Sequence, residues 1–191
     1  LSLLAHIDSK PGSPGALDNA SGVVTLLLMA DLLGGMSPRS IVEIVLVNGE
    51  DYYSNPGEVR FLEDMADRWG DVVLGINLDG VGFDGEPTEF SLYQCPELVA
   101  QAVQARFREM AGAVEGLPWF QGDHAMFVQH GVPALAVTSG STRRQVLDIV
   151  HTADDQPGLI SCDRIVDLAH VLTGLVDDLD PTPAGRVLRL K

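Results

Sequence analysis

The sequence is poor in several features that mark particular classes of protein. Its two cysteines, Cys95 and Cys162, lie far apart and lack the short paired spacing of zinc ribbons and redox motifs, so a disulfide between them is allowed but not required. Basic residues are scarce, with 12 Lys and Arg against 27 Asp and Glu. The resulting formal net charge of −15 argues against nucleic acid or an anionic membrane as a partner.

Long apolar runs are also absent. No stretch reaches the roughly 18 to 20 continuous apolar residues that a membrane span requires, and no signal peptide precedes Leu1. The chain lacks an initiator Met and opens inside a run typical of a core strand. We therefore expect residues upstream of Leu1 to be missing or removed. The compartment stays open, with a secreted or periplasmic location favoured over the cytoplasm.

The sequence does contain enough apolar residues for one sizeable core, since 46% of its 191 residues are hydrophobic. We expect a single catalytic domain over residues 1–180 and a peripheral extension over residues 181–191. Alternation of apolar strands with helices predicts an α/β fold with a mostly parallel central sheet and helices on both faces. The predicted strands are 1–5, 41–47, 72–78, 90–93 and 132–138, and the predicted helices are 23–33, 58–69, 96–113, 125–129 and 160–179.

Metal-binding residue types follow the first strand. His6 and Asp8 alternate along an extended chain, so their side chains leave the strand on the same side. Asp18 and Asn19 then precede a long apolar helix, after a loop rich in Pro and Gly. Imidazole and carboxylate suit a divalent ion such as zinc, with a further carboxylate behind the imidazole. The alternative is that Asp18 and Asn19 only cap the helix.

Acids recur at the ends of later strands. Glu50 and Asp51 follow the strand at 41–47, and Asp79 follows the strand at 72–78. In a parallel sheet, ligands bind beyond the carboxyl ends of the strands, so these acids are predicted to converge with His6. The alternatives are that Glu50 and Asp51 are ordinary surface-loop acids and that Asp79 only caps a helix or a turn. His151 lies in a later loop, where the following Thr and Asp residues could simply build a turn.

Five segments in this order resemble the zinc aminopeptidase family known as peptidase family M28. They are AHIDS with GALDNASG, then VNGED, INLDGVG, GDHAMFVQHGVPAL and VHTADD. The resemblance covers residues 5 to 155 and implies two zinc ions and a cis peptide between Asp18 and Asn19. It implies these ligands: His6 and Asp79 at one ion, Asp51 and His151 at the other, and Asp18 bridging the pair.

The same resemblance implies a hydrolytic mechanism. Two ions roughly 3.5 to 4 Å apart would share a water and lower its pKa, and a carboxylate that is not a ligand would accept the proton. Glu50 matches this base, and Asp8 matches the carboxylate that orients His6. The expected activity is removal of N-terminal residues from a peptide substrate, with zinc as cofactor and cobalt or manganese as acceptable substitutes.

Two departures from the family pattern concern the centre itself. Asp51 stands where many members have Glu, and Val150 stands where many have a Tyr that stabilises the oxyanion. The family domain also usually begins with further strands and helices before the first histidine. Val150 and the different start keep open a non-catalytic, peptidase-like binding domain. A glutaminyl-cyclase-like enzyme with the same fold and a single zinc is the other alternative.

Two further pairs of residues lie in segments near the predicted centre. Asp123 and His124 resemble the family's Asp-His pair, which we interpret as facing or supporting the substrate, with a structural role as the alternative. Arg143 and Arg144 precede His151 and could line the cleft, although a solvated loop is the simpler interpretation.

Overall fold

The structure is a computed structural model that describes residues 1–36, 38, 40–52, 55–140 and 148–179. Its centre is a six-stranded sheet in the order β2-β1-β3-β6-β4-β5. The strands are β1 (Ser2–His6), β2 (Glu43–Val47), β3 (Gly75–Leu78), β4 (Thr88–Tyr93), β5 (Ala113–Glu115) and β6 (Ala134–Ser139). Strands β2, β1, β3 and β6 run parallel, whereas β4 is antiparallel to β6 and parallel to β5. The predicted α/β class and mostly parallel sheet are confirmed.

Helices cover both faces of this sheet, as predicted. One face carries α1 (Ser21–Gly34), α3 (Glu97–Phe107) and α5 (Cys162–Leu179), with α5 packed against the other two. The opposite face carries α2 (Pro56–Met65) and α4 (His124–Gln129). The sheet is therefore buried on both sides, which explains why its parallel strands are nearly continuous apolar runs instead of alternating ones.

Strand register determines which side chains meet at the carboxyl edge. On β1, His6 pairs with Val47 of β2, so the residues that follow β2 lie beside the end of β1. Leu4 pairs with Asn77 of β3, which places Asp79 next to His6 on the same face two residues later. The backbone N–H of Asp79 donates to the carbonyl of Val137 at 3.0 Å and so extends the ladder by one residue.

The region after α3 differs from the prediction. The helix predicted over residues 96–113 ends at Phe107, and the short strand β5 was missed. A turn intervenes, in which Gly112 has a φ of +76°. Only three residues long and half-exposed or exposed, β5 has too little periodicity to be recognised. The extension predicted over residues 181–191 and the residues Arg143 and Arg144 lie outside the described residues.

One helical stretch resembles a membrane span in its composition. By length and composition alone, Ala16–Gly34 could cross a membrane, with 19 residues and a mean hydropathy of 1.4. Half of this stretch is buried inside the protein, however, where Leu26 and Met29 are fully enclosed against the sheet and α5. A core helix of an α/β domain passes the same test because both environments require apolar side chains.

The outer side of β2 has no strand partner among the described residues, since β2 lies at one end of the sheet. Apolar side chains are exposed at this edge, with Ile41 81% and Leu46 44% accessible. A groove of about 480 Å³ runs between β2 and α2 and is lined by residues that include Val45, Phe61 and Arg60. Edge strands of this kind present unpaired backbone groups to solvent.

Gly75 provides a test of the packing at the start of β3. A Cβ placed on Gly75 would overlap the ring of Phe127, which is fully buried and packs edge-on against Phe61 and Trp69. We expect Gly75→Ala to lower the free energy of unfolding by about 1–3 kcal/mol, because a crowded aromatic cluster cannot move aside cheaply. Urea unfolding measures the change. Gly34→Ala is the control, since no atom lies within 4 Å of the point that its new Cβ would occupy, and it should be neutral or slightly stabilising.

Candidate metal centre

The first group of predicted ligands meets at the ends of β1 and β3. His6 is 1% exposed, and its Nε2 lies 3.0 Å from Oδ1 of Asp18 and 3.7 Å from Oδ1 of Asp79. One ligand atom from each of the three residues lies within 4.8 Å of the others. Asp18 reaches this point from the short helical turn Ala16–Ala20 that precedes α1. The structure thus brings together the three residues predicted around the first ion.

The second group shares Asp18 with the first. Nε2 of His151 lies 2.9 Å from Oδ2 of Asp18 and 2.9 Å from Oδ1 of Asp51. Asp51 is buried in the turn after β2, whereas the side chain of His151 is 43% exposed in the loop before α5. His151 has a φ of +66°, a left-handed backbone conformation that few non-glycine residues adopt. The two oxygens of Asp18 therefore face two different imidazoles.

The distances fit a cation better than hydrogen bonds alone. Nε2 of His151 carries at most one proton, yet it has two carboxylate oxygens at 2.9 Å, and one N–H cannot point at both. Ligands at roughly 2.0 to 2.1 Å from a tetrahedral zinc ion are about 3.3 Å apart, which is within the range seen here. Oδ2 of Asp51 is also buried without a hydrogen-bond partner among the described residues. The residues present therefore fit divalent metal ions.

The electrostatics of the two groups support the same conclusion. Burial disfavours a charged imidazole, but the carboxylates of Asp18 and Asp79 outweigh it and raise the pKa of His6 to about 12. Burial, followed by the charge of Asp18, raises the pKa of Asp51. Without a metal ion, a proton held on His6 would therefore provide the positive charge that these closely spaced acids require. A divalent cation in each group would supply that charge and release the proton.

Glu50 lies beside these groups without joining either of them. In the part of the chain that the structure describes, no cluster of potential ligand atoms includes Glu50. Burial, together with the charge of Asp79, raises the pKa of Glu50 to about 7. The neighbouring Asp51 enters the second group, so consecutive acids at the end of β2 have different environments. A partly buried carboxyl beside a ligand cluster is suited to proton transfer.

Asp8 contacts more than the imidazole that it was predicted to orient. Nδ1 of His6 lies 3.2 Å from the backbone carbonyl of Asp8 and 3.7 Å from its carboxylate. The two carboxylate oxygens accept the backbone N–H groups of Gly49 at 2.7 Å and Asp51 at 3.1 Å. Asp8 therefore holds the turn that carries Glu50 and Asp51 as well as contacting His6. The sequence alone could not indicate these bonds to residues more than forty positions away.

Asn19 is a residue that the ligand prediction left without a role. The peptide bond between Asp18 and Asn19 is cis, as the resemblance implied. Asn19 is 1% exposed, and its amide donates to the carbonyl of Leu78 at 2.8 Å while its oxygen accepts from Gly22 and Gly80. These bonds tie the turn of Asp18 to the end of β3. The bond from Gly22 is the kind of contact expected of a residue that caps α1, whereas the bonds to Leu78 and Gly80 had no signal in the sequence.

Asp123 and His124 form a wall near the centre. Asp123 is 1% exposed, and burial together with Glu58 raises its pKa to about 9. Burial lowers the pKa of His124, whose Nε2 lies 2.9 Å from the carbonyl of Trp119 and whose ring packs between Tyr93 and Trp119. Neither residue belongs to a ligand cluster within the described residues.

Val150 lies in an apolar cluster before His151. It packs against the buried residues Leu17 and Phe83 together with its neighbour Ile149. The side chain of Val150 thus anchors the loop that carries His151, and it contributes no hydrogen-bond donor of its own. A hydrogen-bond donor to an oxyanion would therefore have to come from a residue other than Val150.

Curated proteins and solved structures resemble this chain over very different lengths. The vacuolar membrane protease of Laccaria bicolor is 36% identical over 86 residues, which are 45% of this chain and 8% of that protein. The vacuolar membrane protease of Penicillium rubens is 38% identical over 88 residues, which are 45% of this chain and 9% of that protein. The matched segment therefore spans less than a tenth of the length of these relatives.

Two solved structures share the fold over nearly the whole chain. BSAP, a zinc aminopeptidase from Bacillus subtilis, aligns with a TM-score of 0.79 and 21% identity over 95% of this chain and 46% of that chain. Porphyromonas gingivalis glutaminyl cyclase aligns with a TM-score of 0.78 and 22% identity over 93% of this chain and 72% of that chain. The sequence profile of Peptidase family M28 matches residues 1–176, and the chain therefore belongs to peptidase family M28.

Proposed function

We propose that this chain is a catalytic domain that removes N-terminal residues from peptides with two zinc ions. The observation that supports this most directly is the Asp18 carboxylate, with Oδ1 at 3.0 Å from one histidine and Oδ2 at 2.9 Å from another. A carboxylate oriented in this way can bridge two ions. His6 and Asp79 would hold one ion, and Asp51 and His151 the other.

The chain's own residues account for the steps that do not depend on the ions. When bound, zinc would provide Lewis-acid activation of the attacking water and of the scissile carbonyl. Glu50 would accept the proton of that water and pass it to the leaving amine, a role that suits a partly buried carboxyl that lies beside the ligand clusters and belongs to none of them among the described residues. Asp8 would keep Glu50 in place through its bonds to Gly49 and Asp51.

The charge of the centre suits two divalent ions. Asp18, Asp51, Asp79 and Glu50 converge on the same edge of the sheet, so their combined charge exceeds what one divalent ion would neutralise, whereas two ions would balance it. The preference for N-terminal residues is supported by the likeness in fold to BSAP, a zinc aminopeptidase.

The names of the curated relatives bear on where the domain acts. The proteins of Laccaria bicolor and Penicillium rubens are named vacuolar membrane proteases. We propose that this domain also works outside the cytoplasm, in keeping with the location favoured by the sequence.

Metal removal and restoration test the proposed function. Protein stripped with a chelator should bind two equivalents of zinc in a calorimetric titration, with a higher melting temperature after each addition, since ligands that bind only the folded state stabilise it. Hydrolysis of aminoacyl p-nitroanilides should vanish with the chelator and return with zinc.

Matched substrates separate the alternatives. N-acetylated aminoacyl p-nitroanilides should not be cleaved, and equal cleavage of blocked and free substrates would contradict the aminopeptidase assignment. One equivalent of zinc with cyclisation of glutaminyl peptides would indicate a glutaminyl-cyclase-like enzyme instead. Binding of less than one equivalent, with no turnover after zinc addition, would leave the binding-domain alternative.

A further inference from the structure

A fully buried carboxylate lies behind the bridging residue of the centre. Asp155 is 0% exposed, and its Oδ1 and Oδ2 accept the backbone N–H groups of Leu17 at 2.6 Å and Asp18 at 3.1 Å. The backbone carbonyl of Asp155 also accepts the N–H of Ala16 at 3.4 Å. One residue thus receives three consecutive backbone donors of the turn that carries Asp18.

The same residue is tied closely to His151. The N–H of Asp155 donates to the carbonyl of Thr152 at 3.4 Å. The side chain of Thr152 stabilises the same turn, since its hydroxyl donates to the carbonyl of Ile149 at 2.6 Å and accepts the N–H of Asp154 at 3.1 Å. Asp155 lies only four positions after His151, within this compact turn. Any displacement of Asp155 therefore moves the loop of His151 relative to Asp18.

These contacts explain why a charge is buried at this position. Isolation of a carboxylate from water is costly unless its oxygens accept hydrogen bonds, and both oxygens of Asp155 do so from backbone donors. A neutral amide would present an NH₂ group to one of those N–H groups, which are donors themselves. Position 155 therefore requires a side chain whose two terminal atoms are both hydrogen-bond acceptors.

We propose that Asp155 is a positioning residue that links the two halves of the metal centre. It holds the backbone of Asp18 so that the two carboxylate oxygens face His6 and His151, and it holds the loop of His151 at the same time. This role rests on the proposed two-ion function. Loss of the link should weaken the second ion most, because His151 lies in the loop that Asp155 holds, whereas His6 ends β1 and Asp79 directly follows β3.

The test compares Asp155→Asn with Asp154→Asn, an exposed neighbour that undergoes the same chemical change. Zinc titration should show one tight site in Asp155→Asn and a second site weakened roughly 10- to 100-fold, the range typical of residues that orient metal ligands. Asp154→Asn should match the wild type. Cobalt substitution provides a second readout, since the visible absorption of the second bound ion should shift only in Asp155→Asn. Amide exchange of Leu17 and Asp18 should accelerate in the same variant without metal.

The outcomes separate this role from a structural one and from the proposed function. A folded Asp155→Asn that binds both ions with wild-type affinity and spectrum would overturn the inference and leave the two-ion function standing. A wild type that binds fewer than two ions would overturn both. If Asp155→Asn does not fold, Thr152→Val at an exposed position loosens the same turn, and a second site weakened severalfold is expected. Unchanged affinity in folded Thr152→Val would also overturn the inference.

Discussion

Replacement of Glu50 by glutamine is expected to lower kcat at least about a hundredfold while both zinc ions stay bound. Glutamine keeps the size of the side chain but cannot accept a proton from water. Glu50 joins neither ligand cluster in the described part of the chain, so its loss should not remove an ion. Steady-state kinetics with an aminoacyl p-nitroanilide and elemental analysis of the same sample measure both quantities.

Glu63→Gln is the matched control for this experiment. Glu63 lies on α2, its side chain is 65% exposed, and its carboxylate lies 3.8 Å from the guanidinium of Arg60 in an exposed ion pair. Its substitution should change neither kcat nor metal content. If Glu50→Gln kept wild-type turnover, Glu50 would not be the base; if it lost metal together with activity, Glu50 would instead be a ligand or a support for one.

Replacement of Asp18 by asparagine is expected to weaken the binding of both zinc ions. The Asp18 carboxylate faces His6 with one oxygen and His151 with the other, and the nitrogen of an amide is a poor ligand for zinc. We expect both affinities to fall by more than the roughly 10- to 100-fold loss that follows removal of an orienting partner. Zinc titration and turnover measure the result.

Asp79→Asn distinguishes a bridging ligand from an ordinary one. Among the clusters of the described residues, Asp79 belongs only to the one that it forms with His6 and Asp18, and its Oδ1 lies 3.7 Å from Nε2 of His6. Its substitution should weaken one ion and leave the group of Asp51 and His151 occupied. Equal losses in Asp79→Asn and Asp18→Asn would contradict a bridging role for Asp18, because the two residues would then serve the centre in the same way.

The positions of residues at strand ends could be predicted from the sequence. A parallel sheet places the carboxyl ends of its strands at one edge, so the apolar runs before His6 and Asp79 were sufficient to bring these residues together. The position of Asp51 after β2 could be predicted by the same reasoning. This part of the fold depends on periodicity and length, which the sequence displays directly.

Residues that act through loop packing could not be predicted in this way. Asp155 links the loop after His151 to the turn of Asp18, and Asn19 links that turn to the end of β3, so each uses hydrogen bonds that span a large separation in sequence. Asp8 was placed beside His6 by its spacing, yet its bonds to Gly49 and Asp51 depend on how the turn after β2 folds back. No local pattern encodes such contacts.

The open edge of β2 has a consequence for handling the domain in solution. Its backbone groups, which have no strand partner in the described part of the chain, and the exposed side chains of Ile41 and Leu46 form a template for strand pairing between molecules. Repulsion between molecules that each carry a net charge of −15 opposes such pairing at low ionic strength. Salt shortens the range of this repulsion to about 10 Å at 0.1 M, so the colloidal stability of the domain depends on the buffer.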